Sequence, residues 1–178
     1  MSVIIPEGWS LTTVGRVCDT VYRYPTFYGM ETYSNGIPVL RGEHLLNNGK
    51  ISQNWNDYTY VLEELNNQYP KTKLELGDVV MAVRGTVGKF SKVDKLHVNA
   101  QISPNLIRLA PNKDIVDSDF FFQSLFSVKD SLLQVSVSAT GVPALNSSDI
   151  NASLITLPPL PEQKKIASVL TSVDEVIE

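Results

Sequence analysis

The sequence predicts an α+β fold: a curved, mostly antiparallel sheet with peripheral helices, followed by a protruding coiled-coil-like helix. Three observations support this prediction. Apolar and β-branched runs separated by turn residues fill positions 78–110. Helical periodicity follows over 117–132, and a proline-bounded helix start lies at 158–161. With 178 residues, the chain has the length of one ordinary domain with its own core.

The first part of the chain predicts short elements of both kinds. Ser10 is a candidate helix cap, because a serine hydroxyl accepts hydrogen bonds from the first N–H groups of a helix. Pro38 places its strand at a sheet edge or at a strand start, since proline cannot donate to a neighbouring strand. The predicted elements are a helix over 11–17, a strand over 37–41, a strand over 50–52 and a helix over 61–65 that ends before Pro70.

The middle of the chain carries the densest strand signal, and the period then changes to that of a helix. Asp117 or Ser118 is predicted to cap a helix whose inner face holds Phe121, Leu125, Val128 and Leu132. A polar loop over 134–143 follows. The predicted strands are 78–83, 87–93, 96–102 and 105–110, with a later short helix from 147 and a final strand over 154–157.

The terminal segment predicts a stiff elbow that leads into a helix. Consecutive prolines hold φ near −65°, and Pro161 suits a first helical turn, where no N–H group is needed. The helix ends at Glu178 without a cap, which indicates either a truncation or an open partner site. As an alternative to pairing with a partner, the helix could fold back onto its own domain. The apolar positions with coiled-coil spacing are Ile166, Val169, Leu170, Val173 and Ile177.

Six short motifs occur in a fixed order along nearly the whole chain. Each is weak alone, and their order and spacing make the set specific. In the fourth motif, Ala100 splits an Asn-Gln pair. The motifs are Pro6-Glu7-Gly8-Trp9, Gly77-Asp78 before an apolar run, Gly85-Thr86-Val87-Gly88, Asn99-Ala100-Gln101, the run Leu145 to Ile150, and the proline-rich run Leu157 to Gln163.

In these motifs the chain resembles the specificity (S) subunits of type I restriction–modification systems. The resemblance implies a DNA target-recognition domain over 1–157, and a proline elbow with the start of a spacer helix over 158–178. It implies double-stranded DNA, methyltransferase (M) subunits and restriction (R) subunits as partners. The helix would pair with a second recognition domain's spacer or with a second copy of the chain. The chain itself would be non-catalytic and need no cofactor, since methyl transfer with S-adenosylmethionine and DNA cleavage belong to the partner subunits.

Three segments carry residue types that suit sequence readout, which needs donors and acceptors on firmly placed loops. The resemblance does not select among them, because recognition domains differ at their base-reading residues. Each segment has a structural alternative: aromatic anchoring of a loop, a plain hairpin turn, and a connecting loop. The candidate DNA-contacting residues are Tyr22, Arg23, Tyr24, Tyr28 and Arg41; Arg84, Thr86 and Lys89; and Ser138 and Thr140.

Net charge argues against a generic nucleic-acid binder. The chain carries a formal charge of −4, with a pI of about 5.2, whereas phosphate contacts usually come from a basic face. Cations are nevertheless concentrated between Lys71 and Lys95, and acids between Asp114 and Asp119. The charge pattern therefore fits a domain whose partners supply most phosphate contacts, and it fits a mixed solvated surface equally well.

Other chemistries fail on their residue types. The run Arg84 to Lys89 lacks the first glycine and the metal-binding hydroxyl of a phosphate loop, and Leu157 and Leu160 cannot serve an amino-methyltransferase loop. The histidines and Cys18 show no metal-ligand spacing. A single cysteine, with no secretory signal and no membrane helix, leads us to expect a cytoplasmic protein. The main alternative function is an assembly module that dimerises through its helix without base readout. The chain is expected to be either a fragment of a two-domain subunit or a natural half-subunit.

Overall fold

A computed structural model describes residues 5–24, 31–136 and 143–177, with the backbone alone given for residues 173–177. The described residues form an α+β fold, as the sequence predicts. The strands are β1 (Ser10–Thr13), β2 (Cys18–Arg23), β3 (Ile37–Leu40), β4 (Thr59–Val61), β5 (Val79–Ala82), β6 (Phe90–Lys92), β7 (Gln101–Ile102), β8 (Leu106–Pro111) and β9 (Leu154–Leu157). The helices are α1 (Val14–Val17), α2 (Glu63–Gln68), α3 (Ser118–Ser136), α4 (Ser147–Ala152) and α5 (Leu160–Ile177).

The strands pair mainly in antiparallel fashion. The largest sheet has four strands in the order β2-β8-β5-β6, and every neighbouring pair in it is antiparallel. A second sheet has the order β4-β3-β7, and its β3–β7 pair is the one parallel pairing among the described strands. Strands β1 and β9 form a separate antiparallel pair. The prediction of a mostly antiparallel sheet is therefore confirmed, although the strands divide among several sheets.

The four-stranded sheet is buried on both faces because successive side chains of a strand point to opposite sides. Val79 and Met81 join a cluster that is completed by the inner face of α3. Val80 and Ala82 point the other way, into a cluster built with residues of the three-stranded sheet and its loops. All four side chains are at most 1% exposed. Such a strand gives a continuous apolar run rather than an alternating one.

Helix α3 begins and packs as predicted but runs further. The Asp117 carboxylate accepts hydrogen bonds from the N–H groups of Asp119 and Phe120, at 3.0 and 3.1 Å, and so caps the helix. The predicted inner face is at most 5% exposed at every position. The helix extends to Ser136, three residues into the segment predicted as a loop.

Several short elements differ from the sequence prediction. Residues Ser10–Thr13 form a strand paired with β9, and the helix begins only at Val14. The predicted strand over 50–52 is reduced to a single bridge between Leu45 and Ile51. Within 96–102 only Gln101–Ile102 is strand, after a short 3-10 turn. For Ser10–Thr13 and Gln101–Ile102, a pairing partner far along the sequence decides the local structure.

Candidate nucleic-acid interface

Three strand ends meet at one edge of the molecule, around the turn formed by residues 103–105. Strands β2 and β5 both run antiparallel to β8, so their C-terminal ends lie at the same edge as the start of β8. The N–H group of Val83 donates to the Asn105 carbonyl at 2.9 Å, just after β5. The Ser103 N–H group donates to the Leu40 carbonyl at 2.8 Å and so joins the end of β3 to the same turn.

Arg23 and Arg84 lie at this same end of the sheet, on the strands to either side of β8. Arg23 is the last residue of β2, and its Nη2 donates to the Pro104 carbonyl at 3.4 Å. Burial lowers the pKa of the Arg23 guanidinium, and the positive charge of Arg84 lowers this pKa further. Among the described residues, neither guanidinium forms an ion pair with a carboxylate. Two neighbouring cations without an acidic partner favour the approach of an anion.

Arg41 and Thr86 extend this edge on its other side. Arg41 follows β3, and its Nη2 donates to Thr59 Oγ1 at 2.8 Å, while Nη1 lies 3.9 Å from a Glu43 carboxylate oxygen. A Cβ atom on Gly42 would lie only 3.1 Å from Thr86 Oγ1, so the two loops are in contact. We call the set Arg23, Arg41, Arg84 and Thr86 the arginine edge. Two of the three predicted segments therefore meet in the fold.

The turn after β5 presents its backbone to the outside. Gly85 has φ of +73°, and a Cβ atom there would meet nothing within 4 Å. Arg84, Gly85 and Thr86 are all exposed. The absence of a side chain at Gly85 lets a ligand approach the main chain closely. The turn thus offers a guanidinium, a hydroxyl and free main-chain surface in adjacent positions.

The described residues on either side of 137–142 pack against the same turn. The Ala144 N–H group donates to the Ser136 carbonyl at 2.9 Å, and the Leu145 N–H group donates to the Val83 carbonyl at 3.0 Å. A shallow groove of about 470 Å³ lies there, next to the arginine edge. It is lined by Gly85, Thr86, Val87, Lys89, Lys129, Leu133, Ser136 and Pro143. The described residues Ser136 and Pro143, which flank the third predicted segment, therefore lie beside the turn after β5.

The remaining predicted DNA contacts have different positions. Tyr24 is 1% exposed, and its ring centroid lies 4.8 Å from that of Tyr69, so Tyr24 is a core residue and leaves the candidate set. Tyr22 is half-buried and points to the face of the sheet opposite Arg23, where Lys71 Nζ lies 5.5 Å from the centre of its ring. Tyr28, Ser138 and Thr140 lie outside the described residues.

Two of the sequence motifs are structural rather than ligand-facing. Asp78 accepts from Arg108 Nε at 2.6 Å and from the Glu75 N–H group at 2.8 Å. Burial raises the pKa of Asp78, and the Arg108 charge opposes this rise. Gln101 is fully buried and donates to Asn66 Oδ1 at 2.7 Å. These contacts explain why a buried sheet carries such polar residues.

Sequence reasoning missed Arg108 and Lys129. Arg108 is a charged residue in the middle of the apolar run of β8, a pattern that indicates a buried partner. Lys129 lies four residues before Leu133 on α3, and both line the groove beside the arginine edge. The i, i+4 spacing of a helix places the two side chains on one face. Periodicity could have found this pairing, but not its position next to the turn after β5.

The predicted interface residues of α5 divide between the domain core and the surface. Ile166 is half-buried and packs against the domain's own hydrophobic cluster. Val169 and Leu170 are 64% and 39% exposed. The side chains of Val173 and Ile177 lie outside the described residues. The first turns of α5 thus dock on the domain, as in the fold-back alternative, while the next turn leaves apolar side chains at the surface.

The residues considered as metal ligands, His44, His97 and Cys18, are buried or partly buried in the fold. Among the described residues, no group of three or more His, Cys, Asp or Glu side chains is placed to hold a metal ion. His44 and His97 are at most 1% exposed, and the His97 ring contacts Asp94 Oδ1 at 2.7 Å. Burial raises the pKa of the Cys18 thiol to about 12, so this thiol stays protonated at neutral pH. None of the described helices is long and apolar enough to cross a membrane.

Solved structures share this fold over nearly the whole chain. The HsdS subunit from Thermoanaerobacter tengcongensis superposes with a TM-score of 0.72 at 21% identity, over 97% of this chain and 44% of that one. A chain from a study of complex assembly and conformational transition of the type I R-M system gives a TM-score of 0.75, also at 21% identity, over 98% of this chain and 40% of the other. At this identity the similarity establishes the fold alone.

The sequence comparison establishes the family. The family model described as type I restriction modification DNA specificity domain matches residues 6–178, and the chain belongs to this family. The EcoBI specificity subunit of Escherichia coli is 25% identical over 169 residues, which are 92% of this chain and 34% of that protein. The MjaVIII specificity subunit of Methanocaldococcus jannaschii is 28% identical over 180 residues, or 98% of this chain and 41% of that protein. The resemblance found in the motifs is therefore confirmed, and the chain spans less than half the length of these relatives.

Proposed function

We propose that this chain is a target-recognition domain that reads one half of a bipartite DNA site, and that α5 begins a spacer helix that docks methyltransferase subunits. The observation that carries the proposal is the arginine edge, where Arg23 and Arg84 lie at the same end of the four-stranded sheet, on either side of β8, without an acidic partner among the described residues. An arginine can donate two parallel hydrogen bonds to guanine O6 and N7 in the major groove. The adjacent turn supplies Thr86 and exposed backbone for close approach.

The overall acidity of the chain is consistent with this role. Only one edge of the described domain needs positive potential for base readout, because partner subunits would supply most contacts to the phosphates. Lys89 and Lys129 line the groove beside the arginine edge, with no carboxylate among the groove's lining residues. Methyl transfer and cleavage would be carried out by the M and R subunits, so the chain contributes recognition and position.

The first experiment measures duplex DNA binding by the chain assembled with its cognate methyltransferase subunit, across a range of salt concentrations. Arg84→Ala should lose about 1–3 kcal/mol of discrimination if Arg84 contacts a base, or lower the salt slope by about 1 if it contacts a phosphate. Arg16→Ala is the matched control. Arg16 is exposed and lies just before the start of β2, whereas Arg23 lies at the other end of that strand. Wild-type binding by both Arg84→Ala and Arg23→Ala would overturn the assignment of this edge.

A second candidate, an assembly module that dimerises through α5, is favoured by the exposure of Val169 and Leu170. Serine at both positions should then abolish self-association, measured by sedimentation, and the Arg84→Ala variant should bind DNA like the wild type. Under the recognition proposal, the serine variant weakens assembly, whereas Arg84→Ala alters DNA binding alone. The two functions are thus separated by variants that lie far apart on the chain.

A further inference from the structure

The side chain of Gln163 is the most completely buried polar group at the base of α5. It is 1% exposed although it lies in the first turn of a helix at the domain surface. Its Oε1 accepts a hydrogen bond from the Asp117 N–H group at 2.8 Å. Its Nε2 donates to the carbonyls of Pro158 and Ile115, at 2.8 and 3.2 Å. Both ends of the amide are therefore engaged by backbone groups.

These three backbone groups belong to separate parts of the fold. Pro158 is the elbow residue between β9 and α5, and Ile115 lies in the turn that follows β8. Asp117 is the residue whose carboxylate caps α3. One side chain thus joins the elbow, the end of the main sheet and the start of the longest described helix. Ala167, one turn further along α5, is 3% exposed and seats the same face of the helix on the core.

The prolines of the elbow do not fix the direction of the helix by themselves. A proline ring restricts its own φ angle and the ψ angle of the residue before it, but the ψ angle of Pro159, which no proline follows, is not restricted in this way. The Gln163 amide removes this freedom, because any swing of α5 would break hydrogen bonds that are buried from water. Leaving a buried donor or acceptor without a partner costs about 1–3 kcal/mol. The three hydrogen bonds of this side chain therefore hold the helix in one orientation relative to the domain.

We propose that Gln163 is a positioning residue that fixes the direction of α5, so that the recognition domain and its spacer helix move as one rigid unit. The inference rests on the proposed function, in which α5 is the spacer and its direction decides where the domain meets DNA. Recognition of a split site requires both halves to be met at a fixed separation. A domain held loosely on its helix would accept several separations.

The test measures the distance between nitroxide labels on the domain and on the helix by pulsed electron paramagnetic resonance. Labels are placed at Glu64→Cys on α2 and Ser172→Cys on α5, both exposed, with Cys18→Ser in every variant. The unsubstituted Gln163 should give a single narrow distance distribution. Gln163→Met keeps a similar volume without hydrogen bonds, and should broaden the distribution and shift its mean. Lys165→Met is the control, an exposed neighbour on the same turn.

A conservative variant separates positioning from general stability. Gln163→Glu keeps the acceptor for the Asp117 N–H group but turns an oxygen toward the Pro158 and Ile115 carbonyls, so its distribution should be at least as broad as that of Gln163→Met. If circular dichroism shows that Gln163→Met does not fold, the distance distribution of Gln163→Glu is used for the comparison instead. A lower melting temperature with an unchanged distance distribution would overturn the proposal and leave Gln163 a stabilising residue only. Loss of DNA selectivity does not enter this measurement, so a failure of the proposed function is seen separately.

Discussion

Replacement of Arg108 by methionine should be the most damaging single change in the polar part of the fold. Arg108 is 5% exposed, and its Nε donates to the Asp78 carboxylate at 2.6 Å. Asp78 is 4% exposed, so the variant leaves a buried carboxylate without its cation. Removing one partner of a buried ion pair costs about 3–5 kcal/mol. The second contact, to Glu75, adds little because that side chain is 69% exposed.

Urea unfolding followed by circular dichroism at neutral pH measures this cost. Lys113→Met is the control, since Lys113 is an exposed cation lining the same polar pocket and should change stability by less than about 0.5 kcal/mol. The double variant Arg108→Met with Asp78→Asn should recover part of the loss, because the buried charge is then gone. A loss below about 1 kcal/mol for Arg108→Met would show that the Arg108–Asp78 pair acts like an exposed ion pair, contrary to its burial.

The same variant makes a prediction about pH. Burial already raises the pKa of Asp78 above its ordinary value, and without Arg108 this pKa should rise further. The folded state then binds a proton more readily than the unfolded state, so stability falls as pH rises through the folded-state pKa. Arg108→Met should therefore regain stability relative to the wild type as the pH is lowered. An unchanged difference between the two proteins would show that Asp78 is not the group left uncompensated.

Two further predictions concern a turn and a buried histidine. Gly88→Ala should lower the free energy of unfolding in urea more than Gly85→Ala does. Both glycines have positive φ, which costs an alanine about 1–2 kcal/mol, but only at Gly88 would a Cβ atom lie 2.9 Å from Leu133 Cδ2. Equal losses for the two variants would contradict the contact between Gly88 and Leu133. Burial lowers the pKa of His44, so as the pH falls the unfolded state binds a proton at His44 before the folded state does. Proton binding by the unfolded state lowers the free energy of unfolding as the pH falls from about 6.5 through the folded-state pKa. The wild type should therefore lose more stability than His44→Gln between about pH 7.5 and about pH 5.5. Equal losses in the two proteins would show that His44 does not cause this pH dependence.

The sequence predicted best those elements whose local pattern and long-range packing agree. Helix α3 has strong periodicity and a good cap, and it appears where expected. Strands β5 and β8 are apolar runs buried on both faces. Ser10 was misjudged because its capping ability is local, whereas Ser10–Thr13 pairs with β9 at the other end of the chain. A partner so distant in sequence leaves no signal in the window around Ser10.

Residue type in the sequence indicated candidate residues for the DNA-contacting site, but not which of them lie together in the fold. Arg23 and Arg84 are the residue types that read DNA, and the sequence placed both near loops, but only the sheet order shows that they lie at the same end of one sheet. Tyr24 has the same residue type as Tyr22, yet its side chain is buried against Tyr69. Gln163 looked like part of a motif without a role of its own. Burial and convergence depend on the whole fold, and residue type alone does not determine them.

Base readout by this domain can be measured by selecting DNA from a random duplex library with the complex of this chain and its cognate methyltransferase subunit. Sequencing of the retained DNA should give a defined half-site for the wild type. Arg84→Ala or Arg23→Ala should lose preference at one or two positions of that half-site, with Arg16→Ala unchanged. Retention of DNA with no preferred sequence by the wild-type complex would contradict the claim that this domain reads bases.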